Sequence, residues 1–292
     1  MNNNNLATSE LVLNDDGSVY HLHLKPGNIA DKIILVGDPG RVEKVSSLFD
    51  RIDFRMSNRE FITHTGYYKG QNITALSTGI GIGNIDIVMN ELDALVNIDL
   101  EKRTLKDKQV SLKLVRVGTS GGLQEELEVG SFILSRMACG FDGLIHYYRD
   151  GESVCEKDIE QAFIRHTNWD NRRPAPYFVK SSDSLFNQLN KNLFSGITLT
   201  SPGFYGPQGR MLRLPVVDPE LNDKIHSFKT GDLKIMNYEM ESSALFALSK
   251  LLGHESVTIC AIIANRMSKK FIRDYEQVIE SLLRFTLDSL CE

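Results

Sequence analysis

Residues 115–122, Val-Arg-Val-Gly-Thr-Ser-Gly-Gly, set an arginine and a run of small, hydroxyl-bearing residues directly after an apolar stretch. Glycine lets backbone N–H groups come close to a ligand, the Thr119 and Ser120 hydroxyls can donate, and Arg116 offers a planar fork that matches phosphate oxygens. Taken alone, these eight residues would serve equally as a tight turn carrying a solvated arginine. Two further arginines favour an anion. Arg41 ends the turn-rich Gly37-Asp38-Pro39-Gly40-Arg41 that follows the apolar run at 32–36, and Arg59 stands in Asn58-Arg59-Glu60-Phe61. Three guanidinium groups beside turns suit a dianion. Gly79-Ile80-Gly81-Ile82-Gly83 lacks the Gly-x-Gly-x-x-Gly spacing and no Gly-x-x-x-x-Gly-Lys-Ser/Thr occurs, so neither a dinucleotide fingerprint nor a P-loop is supported.

Two other stretches carry chemistry of a different kind. Residues 201–210, Ser-Pro-Gly-Phe-Tyr-Gly-Pro-Gln-Gly-Arg, form a loop that presents Phe204 for stacking, Gln208 as joint donor and acceptor, and Arg210 as a donor. A flat ligand with a polar edge would suit it, as would the simpler role of a surface loop whose aromatics cover the core. Residues 237–243, Asn-Tyr-Glu-Met-Glu-Ser-Ser, fall where a strand-like segment meets a helical pattern. Acidic residues are favoured at a helix N-terminus in any case, by roughly 0.3–1 kcal/mol. A carboxylate next to a methionine can also hold the hydroxyls of a sugar and cover its apolar face.

The elements that must position these groups follow from periodicity. Strand-like runs recur at 32–36, 72–77, 112–117, 129–134, 197–200 and 257–264, with helical patterns between many of them, which predicts a mixed, largely parallel sheet flanked by helices in one α/β domain. Ile85, Val88, Met89, Leu92 and Leu95 share one helical face, as do Met240, Ala244, Leu248 and Leu251, before Gly253 ends that helix. Phe271, Tyr275, Ile279, Leu282, Phe285 and Leu290 predict a closing amphipathic helix. The charged stretch 97–111 and the stretch 149–176 read as surface insertions, solvated loops or short helices. The polar start predicts a disordered tail over 1–17, leaving the domain at 18–292.

With 292 residues and a net charge of −5, the chain can bury a sizeable core but offers no broad basic face, so nucleic acid is not an expected partner. Its four cysteines make no metal-binding pair, and the start has no export signal. Its apolar runs are far short of the roughly 20 residues that cross a bilayer. A soluble, cytoplasmic protein with free thiols is the expectation.

Gly37-Asp38-Pro39-Gly40-Arg41, Ser57-Asn58-Arg59-Glu60-Phe61, Ser77-Thr78-Gly79-Ile80-Gly81, Arg116-Val117-Gly118-Thr119 and Asn237-Tyr238-Glu239-Met240-Glu241-Ser242 together resemble the nucleoside phosphorylase family. The likeness runs from about residue 19 to about residue 266, and in order and spacing it is strongest to the uridine-cleaving branch. It implies that Gly37, Arg41, Arg59, Arg116 and Thr119 surround inorganic phosphate, a co-substrate, while Met240 and Glu241 hold the ribose. His21 matches a family histidine that reaches the sugar in a neighbouring subunit, so dimers, or hexamers built from dimers, with shared active sites are implied. Phe204, Gln208 and Arg210 look like the segment that binds the pyrimidine, with Arg116, Gln208, Arg210 and Glu241 carrying catalysis. Purine-cleaving members place an aspartate at the position of Ala264, and no acid stands there.

Some members bind a monovalent cation at the dimer interface through a glutamate, a backbone carbonyl and a serine. Glu60 stands at the glutamate position but Asn84 at that of the serine. No metal and no cofactor are therefore expected.

Overall fold

A computed structural model describes residues 5–292. The first half runs β1 (Lys32–Val36), α1 (Gly40–Ser46), β2 (Arg51–Asn58), β3 (Phe61–Tyr68), β4 (Gln71–Ser77), α2 (Ile82–Asn97), a short hairpin of β5 (Ile98–Asp99) and β6 (Thr104–Leu105), then β7 (Lys113–Gly122) and β8 (Phe132–Gly140). The second half runs α3 (Lys157–Thr167), β9 (Tyr177–Lys180), α4 (Asp183–Leu189), β10 (Phe194–Thr200), α5 (Leu221–Ser227), β11 (Lys229–Thr230), β12 (Leu233–Glu239), α6 (Ser242–Leu252), β13 (Glu255–Asn265), β14 (Lys270–Phe271) and α7 (Glu276–Cys291).

The main sheet has the order β11-β12-β10-β8-β13-β7-β1-β4-β3-β2, with β9 beside β8 and β14 beside β13. Its interior ladders are mostly parallel: β1 with β4 and β7, β7 with β13, β10 with β8 and β12. The hairpin margins are antiparallel. Strand β12 also pairs with β7, Asn237 opposite Gly122 and Tyr238 opposite Gly121. The sheet therefore curls back on itself from β12 through β10, β8 and β13 to β7. That closure brings the C-terminal ends of β7 and β12 side by side, with Glu239, at the end of β12, 3.3 Å from Arg116 of β7.

Strand β1 is apolar from Ile33 to Val36 because helices cover both of its faces. On one side α2 and α6 bury Ile85, Val88, Leu92, Leu245 and Leu248 against Ile33 and Leu35. On the other, α7 buries Ile279, Leu282, Leu283, Leu287 and Leu290 beside Ile34 and Val36, each Leu or Ile contributing roughly 1.5–3 kcal/mol. Helix α6 stops at Gly253, whose φ of 78° needs no Cβ, with the His254 N–H closing onto the Ser249 carbonyl at 2.7 Å.

Four expectations need correction. Residues 5–17 pack on the domain: Leu11 is buried, the Leu6 N–H donates to the Arg103 carbonyl at 2.8 Å, and Arg103 returns a bond to the Leu11 carbonyl at 2.7 Å. The remainder of that tail, residues 1–4, lies outside the described residues. Those contacts also give the stretch 97–111 a structural role, since Arg103 lies in its β5–β6 turn. The stretch 149–176 forms α3 and buries Phe163, while Trp169 stacks on Phe141 with ring centroids 4.5 Å apart. The closing helix starts at Glu276, and Phe271 belongs instead to β14, opposite Ala264.

Candidate active site

The C-terminal ends of β1, β7, β12 and β13 open on one cavity of about 520 Å³. Its walls include Gly37, Asp38 and Arg41 from the β1–α1 turn, Arg116 and Thr119–Gly121 from β7, and Glu239, Met240 and Glu241 from the β12–α6 junction. Phe204, Gln208 and Arg210 close the other end with Ile263, Ala264 and Phe271. Nine of the expected site residues are thus brought together. A larger hollow of about 680 Å³ shares Arg210 but is walled mainly by Leu, Val, Pro and aromatic side chains and has none of the Arg116 cluster.

Close approach of backbones shapes the anion end. A Cβ on Gly37 would stand 3.4 Å from the Gly79 carbonyl, and one on Gly118 would stand 2.4 Å from Nη1 of Arg116, so the guanidinium lies directly over the glycine. Arg116 is buried and held by two carboxylates: one Nη bonds Glu241 and the other lies 3.3 Å from Glu239. Burial opposes its charge, but Glu241 and Glu239 together outweigh that penalty and keep the guanidinium above its ordinary value. Arg116 Nε and the Ser120 hydroxyl have no hydrogen-bond partner although both are buried. Leaving such a donor unpaired costs roughly 1–3 kcal/mol, which an anion in this cavity could recover. Arg41 adds a third donor group, its pKa drawn down by burial against the opposing pull of Asp38.

The two glutamates, equally suited to a helix N-terminus, do different work. Glu239 caps α6: its carboxylate accepts both the Glu241 N–H at 2.9 Å and the Ser242 N–H at 3.0 Å, and the Thr200 hydroxyl at 2.5 Å. Glu241 instead bonds Arg116 and accepts the Gly81 N–H at 2.7 Å. Burial raises its pKa above the ordinary value, with Glu239 adding to the rise and Arg116 opposing it. A buried carboxylate shared between a guanidinium and one N–H has acceptor capacity left for a hydroxyl.

At the far end, Gln208 is buried and clamped. Its Oε1 accepts from Nη1 of Arg210 and, at 3.3 Å, from Nη2 of Arg266. Guanidinium groups only donate, so the amide orientation is fixed and Nε2 is the donor left for a ligand. The Gln208 carbonyl accepts from Arg266 and, at 3.3 Å, from Asn222. Arg210 lies over the half-exposed Phe204 ring, 3.8 Å from its centroid, and donates to the Phe204 carbonyl at 2.5 Å. Burial and the like charge of Arg266 bring the Arg210 pKa to about 10, which leaves it protonated at neutral pH. This end therefore offers a stacking ring, an oriented amide and a cation to a flat polar edge.

His21 and Arg59 are not among the residues that line this cavity. They lie together elsewhere: Asn58 Nδ2 donates to the His21 carbonyl at 2.7 Å, and Arg59 stands 5.5 Å from the Tyr20 ring centroid. His21 Nδ1 is 2.6 Å from Glu91, and Arg59 has a φ of 54°, which is unusual for a residue with a side chain.

Arg266 and Phe271 are cavity or clamp residues that the sequence reading left out of the site. The first had a signal, since the two-residue period of β13 puts positions 264 and 266 on one face. Phe271 had none, because only the non-local pairing of β14 brings it there.

Residues 31–290 match the model of the phosphorylase superfamily. The chain belongs to that superfamily. It is 31% identical over 271 residues to the uridine phosphorylase of Thermococcus kodakarensis, covering 91% of this chain and 84% of the relative. It is 30% identical over 246 residues to a DeoD-type purine nucleoside phosphorylase of Streptococcus suis, covering 83% and 84%. Among solved structures, the Trypanosoma brucei nucleoside phosphorylase, described as showing uridine phosphorylase activity, superposes with a TM-score of 0.87 at 29% identity over 96% of this chain and 99% of that one. The superfamily fold thus extends over nearly the whole chain, and relatives that cleave pyrimidine and purine nucleosides both lie at similar distance.

Proposed function

We propose that the protein catalyses the reversible, phosphate-dependent cleavage of uridine to uracil and ribose 1-phosphate. The observation that carries this reading is the pairing, within one cavity, of buried unpartnered donors on Arg116 and Ser120 with a Gln208 amide held fixed by Arg210 and Arg266. One end suits a phosphate dianion held by Arg41, Arg116 and Thr119 over Gly37. The other offers Gln208 Nε2 and Arg210 as donors to the two carbonyl oxygens of uracil, O2 and O4. Between them, Met240 covers the ribose and Glu241 accepts its hydroxyls, exchanging part of its bond to Arg116 as phosphate arrives.

In the reaction a phosphate oxygen forms the new bond to C1′ as the C1′–N1 bond breaks, through an oxocarbenium-like state. The electron pair of the broken bond goes to the base, where O2 and O4 share the charge opposite Arg210 and Gln208. No proton donor is needed for that departure. Ala264, at the cavity wall, supports a pyrimidine over a purine, because no carboxylate stands there to protonate a purine leaving group. Positioning and fixed dipoles do the catalytic work.

His21 and Arg59, grouped away from the cavity of their own chain, serve that of a second copy in a homodimer, or in a hexamer assembled from dimers. The enzyme works in the cytoplasm, in the salvage or breakdown of pyrimidine nucleosides, without a cofactor. Incubating purified protein with uridine, with and without phosphate, and with inosine and cytidine in parallel, tests the assignment. Uracil released only with phosphate is expected; release without phosphate, or faster cleavage of inosine, overturns it.

A further inference from the structure

We infer that this chain replaces the interface cation of some family members with its own amide: Asn84 supplies to Glu60 the positive pole that a monovalent ion would otherwise provide. Asn84 Nδ2 donates to Glu60 Oε1 at 3.1 Å. The amide lies where space is tightest, since a Cβ on Gly79 would stand 2.4 Å from that Nδ2 and 3.0 Å from Cγ of Glu60. A serine there, shorter by most of an amide, would leave open the gap that the amide occupies, and its hydroxyl would offer a lone pair. The asparagine fills the gap and turns a donor toward the carboxylate.

The surrounding groups agree. Asn84 lies in the first turn of α2, Ile82–Asn97, whose N-terminal dipole already favours a carboxylate. Two nearby carbonyls each already accept a hydroxyl, which leaves each one lone pair: that of Glu60 accepts from Ser77 at 2.6 Å, and that of Gly79 from Thr78 at 2.8 Å. The residues present therefore do not fit the ion. The consequence reaches the cavity, because the loop pinned by this pair carries Ile80 into its wall and directs the Gly81 N–H to Glu241 at 2.7 Å.

The test compares wild type and Asn84→Ser, both dialysed into tetramethylammonium chloride, then titrated with KCl or NaCl at constant ionic strength. Wild type is expected to keep its Tm and its rate of uridine cleavage whichever cation is present. Asn84→Ser is expected to lose stability without the metal ions and to regain about 5 °C in Tm when an ion reaches a hundred times its Kd. A wild type whose Tm climbs with potassium or sodium overturns the inference, as does an Asn84→Ser protein as stable as wild type and indifferent to both ions. The inference holds for any base the cavity takes, and the thermal readout separates its failure from a failure of the proposed reaction.

Discussion

Replacing Arg210 by alanine removes one charged donor from the base edge and leaves the rest of the clamp standing. Gln208 stays in place because Arg266 and Asn222 still hold its carbonyl, and Arg266 still reaches its Oε1. The loss is therefore that of one preorganised donor where charge develops, about 2.7–4 kcal/mol or 10²–10³ in kcat. The stack on Phe204 disappears too; at this half-exposed site it is worth about 0.5–1 kcal/mol, so KM for uridine rises by roughly twofold to fivefold. Stability changes little, about 0.5 kcal/mol or a degree or two in Tm, because Arg210 sits at the cavity mouth. Initial rates of uracil release at saturating phosphate, with uridine varied, separate the two effects. A kcat within about threefold of wild type, or a loss confined to KM, refutes the role assigned to Arg210.

Glu241→Gln should lower kcat/KM and remove an acid limb from the pH profile. A pKa raised by burial means that the wild-type carboxylate protonates at a higher pH than an ordinary glutamate, so wild-type kcat/KM falls as pH drops toward that value while the variant stays flat across it. By linkage the same shift contributes stability below the unfolded pKa and loses it as pH rises through the folded one, so acid should cost the glutamine variant no less stability than wild type in a melting series. Gly118→Ala puts a methyl group where Nη1 of Arg116 lies, and KM for phosphate should rise at least about tenfold, with uridine binding, measured without phosphate by calorimetry, less affected. On the proposed homodimer, Arg59→Ala and Glu241→Gln, each nearly inactive, should regain about a quarter of wild-type activity when co-refolded, because half of the mixed population would be heterodimer with one intact shared site. No recovery on mixing would assign Arg59 to its own chain or to no site.

Much of this was legible in the chain because the chemistry-bearing residues sit where strands end. Runs such as 32–36 and 257–264 are apolar on both faces, so β1 and β13 declared themselves. The hairpin of β2 and β3 did not. Strand β2 alternates charged residues with Ile52, Phe54 and Met56 at a sheet edge, and β3 turns Thr63, His64 and Thr65 inward. Those polar side chains are tolerated because partners on other elements receive most of them: Thr65 bonds Thr74 and the Asn28 carbonyl, and His64 bonds Ser46. No local pattern announces such partners.

The same limit applied at the site. Glu239 and Glu241 both suit a helix N-terminus, and only the closure of β12 on β7 decides which of them caps the helix and which turns to Arg116. Phe271 kept a helical spacing with Tyr275 yet pairs with Ala264 across a turn. Trp169, within an apparently solvated stretch, is drawn to Phe141 by the same non-local packing.

Phosphorus-31 NMR of the purified protein with uridine and inorganic phosphate tests the central claim, that this cavity joins phosphate to C1′ of a uracil nucleoside. The account predicts that inorganic phosphate disappears one-for-one with released uracil as a ribose 1-phosphate resonance grows, and that adding uracil and ribose 1-phosphate drives the exchange backward. Uracil accumulating while the phosphate signal stays constant would contradict it.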